Sequence, residues 1–399
     1  MSISYRFDRL ELAGSFGDLG TILPLALGMI MINGLSPLGV FFSVGLFYIL
    51  SGVYFGVTAP VEPMKVIGAY VIATGIAPPQ ILASGVIMGV FLLVIAVTGV
   101  ISVIGRYTPK PVIRGVQLST GVLLMSQGVR LILGASKFQL LHQVPEPYLT
   151  LQNLGPLPLS AVIGVIGTAL ALLLLDNKRV PAALVIVLAG LAIGLALGNP
   201  AELKKLHLAM NVPRLLHHGL PTAADLTAAF FILAIPQMPM TVGNAVLANA
   251  DLSREYFGDA SRKVTHRALC ISMALANFGS FLLGGMPMCH GAGGLAARYR
   301  FGARTAGSNI MIGTAFILLA IFLGGHSLSI LCLLPMSILG VLLLFAGTEL
   351  GLTILDVTGR KDLFISLIIL GITLASNLAG GFVVGIALAY LLRSSRMSV

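Results

Sequence analysis

The chain has 399 residues, 57% of them hydrophobic and 10% charged, with a mean hydropathy of +1.00. An ordinary soluble domain carries about 25% charged residues, so too few polar side chains remain to coat a water-facing surface, which excludes a soluble enzyme, a nucleic-acid-binding protein and a disordered regulator. The net charge of +10 lies singly or in small groups between apolar runs, as in positive-inside loops.

A membrane helix takes roughly 20 apolar residues, and the apolar runs predict an all-α integral membrane protein with fourteen transmembrane segments. The first seven run near 12–31, 36–55, 57–75, 80–104, 111–131, 158–175 and 181–198. The second seven run near 223–250, 264–283, 286–298, 304–325, 329–350, 362–376 and 379–392. The polar first eleven residues, and Asp18 and Pro24 in the run that follows, predict no cleavable signal peptide. The long connections near 134–157 and 199–222 are expected outside, with short interfacial helices. With a cytoplasmic N-terminus, seventeen Lys and Arg fall in inside loops, Arg298 and Arg300 among them. Five (Arg130, Lys137, Lys204, Lys205, Arg214) fall outside. That asymmetry predicts an inner-membrane protein with both termini cytoplasmic, lying near anionic lipid. Cys270, Cys289 and Cys332 form no CxxC pair, so no disulfide framework, metal site or cofactor is expected.

Weak internal similarity divides the chain into two repeats, 1–200 and 201–399. Pro111-Val-Ile-Arg-Gly-Val-Gln-Leu118 opens the fifth segment and Pro335-Met-Ser-Ile-Leu-Gly-Val-Leu-Leu343 the twelfth. The third and tenth segments are both short and broken at their starts by Pro and Gly: Thr58-Ala-Pro-Val-Glu-Pro-Met64 and Gly284-Gly-Met-Pro-Met-Cys-His-Gly-Ala-Gly-Gly294. Seven segments separate each pair. Seven is odd, so the second repeat is inverted, and paired broken helices in such repeats point to a transporter's binding site.

A half-helix that begins inside the membrane leaves its first N–H groups unpaired and carries partial positive charge there. Two such starts facing each other make an anion site. The expected site is built from Glu62, Pro63, Met64 and Lys65 on one side and Cys289, His290, Gly291, Ala292 and Gly293 on the other. Pro63 is expected at a first helical position, where its missing N–H costs nothing. Thr21, Gln237, Thr241 and Asn244 are expected to complete or support the shell. An intramembrane ionisable group is a functional candidate, so Glu62, Asp18 and His290 are the proton-coupling candidates, in that order. An anion arriving beside Glu62 favours its neutral form; the competing reading is permanent neutralisation by Lys65. Asp18 and Lys65 could equally serve only as buried ion pairs or caps, and His290 as a satisfied interior histidine. Arg114 and Gln117 are expected at the cytoplasmic mouth, where Arg114 either attracts anions or snorkels to headgroups. Glu349 is read as structural or near that mouth.

Gly17-Asp-Leu-Gly-Thr21, Pro60-Val-Glu-Pro-Met-Lys65, Arg114-Gly-Val-Gln-Leu118 and the segment from Pro287 to Arg304 resemble the molybdate transporter family of plants, algae and bacteria, a branch of the sulfate-permease-like superfamily. The resemblance covers essentially the whole chain. It implies a uracil-permease-type fold, with a core domain near 1–105 plus 222–326 and a gate domain near 106–200 plus 327–399. It implies an oxyanion held between the two half-helix starts, a core that moves against the gate, and a homodimer. The chain stops shortly after Leu392, without the cytoplasmic domain of typical sulfate permeases, as molybdate-type members do. It departs from the family at Glu62, where the family carries Gln. Gln237 stands where nucleobase permeases of this fold place an acid, which counts against a nucleobase.

The expected function is uptake of molybdate, a tetrahedral dianion, by a proton-coupled secondary transporter. Sulfate or tungstate transport is the alternative, since these ions share shape and charge. An anion channel fits less well, because no ring of charge marks an open pore. A membrane enzyme would need a nucleophile–base or metal constellation, and none is legible.

Overall fold

The structure is a computed structural model that describes residues 5–99, 109–175, 177, 180–198, 210–323 and 333–393. The loop cations Arg106, Lys178, Arg179, Lys204, Lys205 and Arg396, together with Cys332, lie outside the described residues.

The first half contains α1 (Arg9–Ser15), α2 (Leu19–Met31), α3 (Pro37–Phe55), β1 (Glu62–Pro63), α4 (Lys65–Thr74), α5 (Pro78–Thr98) and α6 (Lys110–Ile132). It continues through α7 (Lys137–His142), β2 (Asn153–Leu154), β3 (Leu157–Pro158), α8 (Leu159–Leu174) and α9 (Ala182–Leu197). The second half contains α10 (Ala223–Ser261), α11 (His266–Leu283), β4 (Met288–Cys289), α12 (Ala292–Arg300), α13 (Ala306–Leu323), α14 (Met336–Leu352), α15 (Arg360–Ala375) and α16 (Leu378–Leu391). Among the described residues, six helical stretches are long and apolar enough to cross a membrane, and further apolar helices are shorter.

Local chemistry sets the boundaries. Ser36 accepts from the Gly39 N–H and Pro37 opens α3, the N-cap and first-position preferences. Helix α4 ends at Gly75 with φ +74°, a conformation that suits glycine. The first apolar run is not one helix, because Phe16, Gly17 and Asp18 interrupt it between α1 and α2. Helix α10 stays continuous through Pro236 and Pro239, but two π-helical stretches, Ala229–Ala234 and Thr241–Ala248, flank the prolines. Proline lacks the N–H that an α-helical ladder needs, and π-turns absorb such a mismatch.

Beside the helices, the described residues form two short antiparallel ladders. In one, β1 pairs with β4 in the register Glu62↔Cys289 and Pro63↔Met288. Both segments are buried, so their extended backbones have no water to bond and bond each other instead. Pro63 consequently lies in this ladder and not at a first helical position; α4 begins two residues later.

Helix α3 packs on α13, α5 on α11, and α6 on α14. The α6–α14 crossing is backbone against backbone: a Cβ on Gly121 would lie 2.6 Å from the Gly347 carbonyl oxygen, and a Cβ on Gly347 2.6 Å from that of Gly121. Gly128 and Gly340 repeat the relationship, again at 2.6 Å each way. Helix α1 is stapled to the start of α13 by Glu11, whose carboxylate accepts from the Arg304 and Thr305 N–H groups.

Candidate functional site

The β1–β4 ladder brings the starts of α4 and α12 side by side. Polar side chains from elsewhere hold each extended strand. Asn309 on α13 donates to the Tyr48 and Ala59 carbonyls and accepts from the Ala59 N–H. Asn277 on α11 donates to the Met288 carbonyl and accepts from its N–H. Asn249 donates to the His290 carbonyl.

The two helix starts are not equivalent. At α4, the Val66 and Ile67 N–H groups donate to Gln237 Oε1 at 3.0 and 3.2 Å, and the Met64 N–H donates to the Pro287 carbonyl. Gln237 in turn donates through Nε2 to Thr241 Oγ1 at 2.9 Å. Gln237 and Thr241 therefore cap α4. At α12, no side chain caps the helix, and the first N–H groups after Gly291 have no acceptor among the described residues.

The Glu62 carboxylate lies against that second start. It is fully buried, and neither oxygen accepts a hydrogen bond. Its polar neighbour is Lys65 Nζ, 3.3 Å from Oε2. A Cβ on Gly291 would overlap Glu62 Oε2, and one on Gly294 would lie 3.0 Å from Oε1. Gly291 has φ −64°, so its requirement is space and not backbone freedom. The Asn244 amide nitrogen approaches the same position at 3.4 Å.

A cavity of about 570 Å³ leads to this place. Of the expected site residues, Asp18, Thr21, Lys65, Asn244, Gly293, Arg114 and Gln117 line it. Glu62 stands behind Lys65, outside the lining. Met64 is buried between the ladder and α4. Ala292 opens α12, and its side chain is buried off the cavity. Cys289 is buried opposite Glu62 in the ladder, and its Sγ lies 3.9 Å from the Pro63 carbonyl. His290 faces away from the cavity: Nδ1 lies 2.7 Å from the Pro60 carbonyl and Nε2 3.0 Å from Ser272 Oγ. The carbonyl requires the proton on Nδ1, so Nε2 accepts from Ser272 and both ring nitrogens are engaged.

Asp18 pairs not with Lys65 but with Arg298. Arg298 was expected among loop cations. It is instead fully buried near the end of α12, because α12 turns its last-but-two residue into the protein. Its guanidinium donates to Asp18 Oδ1, the Ser15 carbonyl, Thr58, Ser308 and Asn309. Only its place in the segment from Pro287 to Arg304 hinted at this, since charge alone does not separate an interior arginine from a loop arginine.

At the other end of the cavity, Arg114 donates to both Asp356 oxygens, at 2.9 and 2.5 Å, and to Gln117 Oε1 at 2.8 Å. Arg300 and Glu349 also line the cavity, and neither makes an ion pair with a described residue. The arrangement gives a buried cluster of helix-start N–H groups, one ammonium and two small polar side chains at the end of a vestibule lined by Arg114, Arg300 and Glu349. Unpaired helix-start N–H groups and an ammonium are the chemistry that can receive an anion.

A family model described as molybdate transporter of the MFS superfamily matches residues 10–124 and 229–350. Molybdate transporter 2 of Arabidopsis thaliana is 31% identical over 412 residues, covering 96% of this chain and 87% of that protein. Molybdate transporter 1 of Chlamydomonas reinhardtii is 30% identical over 476 residues, covering 94% and 90%. Among solved structures, the transmembrane domain of the cyanobacterial bicarbonate transporter BicA superposes with a TM-score of 0.65 at 16% identity, covering 97% of this chain and 98% of that one. The murine Solute Carrier 26 family member A9 anion transporter, in its inward-facing state, gives 0.67 at 14% identity, covering 98% and 69%. The fold is therefore that of these helical membrane transporters.

Proposed function

The chain belongs to the molybdate transporter family, and from that premise we propose that it takes up molybdate across the cytoplasmic membrane as a proton-coupled secondary transporter. The observation that carries the reading is the uncapped start of α12 at the end of the cavity, with Lys65 beside it.

The reading places fourteen segments in the membrane as two inverted repeats. The packing supports this. Counted along the apolar runs, α3–α13 is segment 2 on 11 and α5–α11 is segment 4 on 9. A shift of seven exchanges the two pairs. It also exchanges α6 with α14, whose glycines face reciprocally. Helices α1–α5 and α10–α13 form the core; α6–α9 and α14–α16 form the gate. Both termini are cytoplasmic, and two chains associate as a homodimer. The cavity ends at the α8–α9 turn and beside Arg300 and Thr353, all on the side assigned to the cytoplasm, so the conformation is inward-open.

In this mechanism the oxyanion enters an outward-open cleft and settles on the α12 start, held by the Ala292–Gly294 backbone, Lys65 Nζ, Thr21 and Asn244. Gln237 and Thr241 keep α4 in place without touching the ion. The core then shifts against the gate and presents the ion to the cytoplasmic vestibule. Asp18 and His290 already have partners, so this reading assigns the coupling proton to Glu62.

The test is uptake of labelled molybdate into proteoliposomes, competed by sulfate, tungstate and uracil. The expected result is saturable uptake driven by an inward proton gradient. Competition by sulfate but not tungstate would replace the substrate, uracil competition would end the oxyanion reading, and flux linear to high concentration would indicate a channel. Uptake by Glu62→Gln is expected to lose its pH dependence; wild-type pH dependence there removes Glu62 from coupling.

A further inference from the structure

Glu62 places a carboxyl group where the geometry would seat a ligand's. Its carboxylate is fully buried and meets the start of α12 so closely that neither Gly291 nor Gly294 has room for a methyl group beside it. Among the described residues neither oxygen accepts a hydrogen bond, and the N–H groups of Ala292, Gly293 and Gly294 have no acceptor either. The charged or titratable groups around it are Lys65 on α4, Asp18 at the start of α2, Tyr48 on α3 and Cys289 in the opposing strand. Asp18 is committed to Arg298, and His290 to Pro60 and Ser272. Among the described residues, Lys65 is the cation beside it, at 3.3 Å.

We propose that Glu62 is a tethered occupant of the anion seat: its carboxylate holds the position at Gly291–Gly294 that a free oxyanion takes, and the free ion enters only when that carboxylate withdraws. The inference rests on the reading of this seat as the oxyanion site. It adds a chemical consequence. The seat matches a planar monocarboxylate, so a chain without the tether offers it to a small free carboxylate such as formate. The tether also sets affinity, because the apparent affinity of a ligand falls with the fraction of protein whose seat is open.

The experiment uses the full-length purified protein and two substitutions. Thermal unfolding of wild type and Glu62→Ala is followed in sodium formate against sodium chloride of equal ionic strength. Formate is expected to raise the melting temperature of Glu62→Ala by at least about 2 °C and to leave wild type unmoved. Glu62→Gln, which keeps the shape and removes the charge, is expected to bind molybdate about tenfold more tightly than wild type at fixed pH. The proposal is overturned if formate shifts both proteins alike or neither. It is also overturned if Glu62→Gln binds molybdate no better than wild type while wild type binds it measurably. If no form binds molybdate but formate stabilises Glu62→Ala alone, the tether stands and the substrate reading fails.

Discussion

Arg298 and Asp18, 280 positions apart in sequence, meet at 3.2 Å with both side chains fully buried. The pair ties α12 to the start of α2 and, through Thr58, Ser308 and Asn309, to the segment that precedes Glu62. Breaking a buried pair leaves one charge uncompensated, at about 3–5 kcal/mol. Asp18→Asn and Arg298→Met should each lower the melting temperature by several degrees in detergent. Cys270 and Cys289 are buried and free, so a thiol-reactive dye reports the transition. An unchanged melting point in Asp18→Asn would mean that the pair holds nothing together.

Gln237 supplies the acceptor for two buried N–H groups at the α4 start. Gln237→Leu removes it and strands both donors, each at about 1–3 kcal/mol. Gln237→Glu keeps the acceptor but adds a negative charge near the seat. The leucine variant should unfold at lower temperature; the glutamate variant should stay folded with a raised KM for molybdate. Equal KM values for wild type and Gln237→Glu would place this side chain too far away to matter to the ion.

Gly291→Ala puts a methyl group where Glu62 Oε2 lies. The backbone there suits any residue, so the damage should depend on the glutamate. Gly291→Ala alone should lose stability and uptake. Adding Glu62→Ala should recover stability, giving a coupling of about 0.5–3 kcal/mol in a double-mutant cycle. Additive losses would show that the glycine is needed for another reason.

Glu146, in the connection after α7, accepts from the Met336 N–H at 2.7 Å and the Ser337 N–H at 3.0 Å, capping α14. Burial pushes its carboxyl above the ordinary 4.5, against the opposing effect of these bonds. The folded chain thus keeps a proton that the unfolded chain has already released. That contribution to stability is complete below the ordinary value and is lost as pH rises through the folded one. Melting temperatures measured from about pH 4 to 8 should fall with pH less steeply in Glu146→Gln than in wild type. Parallel curves would exclude this group as a source of the slope.

Much of the fold was legible because hydropathy dictates it. The helices α3, α6, α8 and α9 begin and end within about two residues of their apolar runs, a margin typical of helix boundaries. The extended segments ahead of α4 and α12 coincide with the Pro and Gly clusters of the sequence. What escaped was pairing between distant segments. No local pattern tells that Gln237 reaches Val66 across 171 positions, or that Arg298 turns inward while Arg300, two residues on, faces the cavity. The β1–β4 ladder escaped for a related reason: two residues per strand carry no periodicity.

The reciprocal glycines of α6 and α14 have an evolutionary consequence. Where two main chains touch, no neighbouring side chain can be trimmed to admit a larger residue. A substitution at Gly121 would have to be answered by moving a whole helix, and the same holds at Gly128, Gly340 and Gly347. Mutational drift at this seam is therefore barred from both sides by simple lack of room.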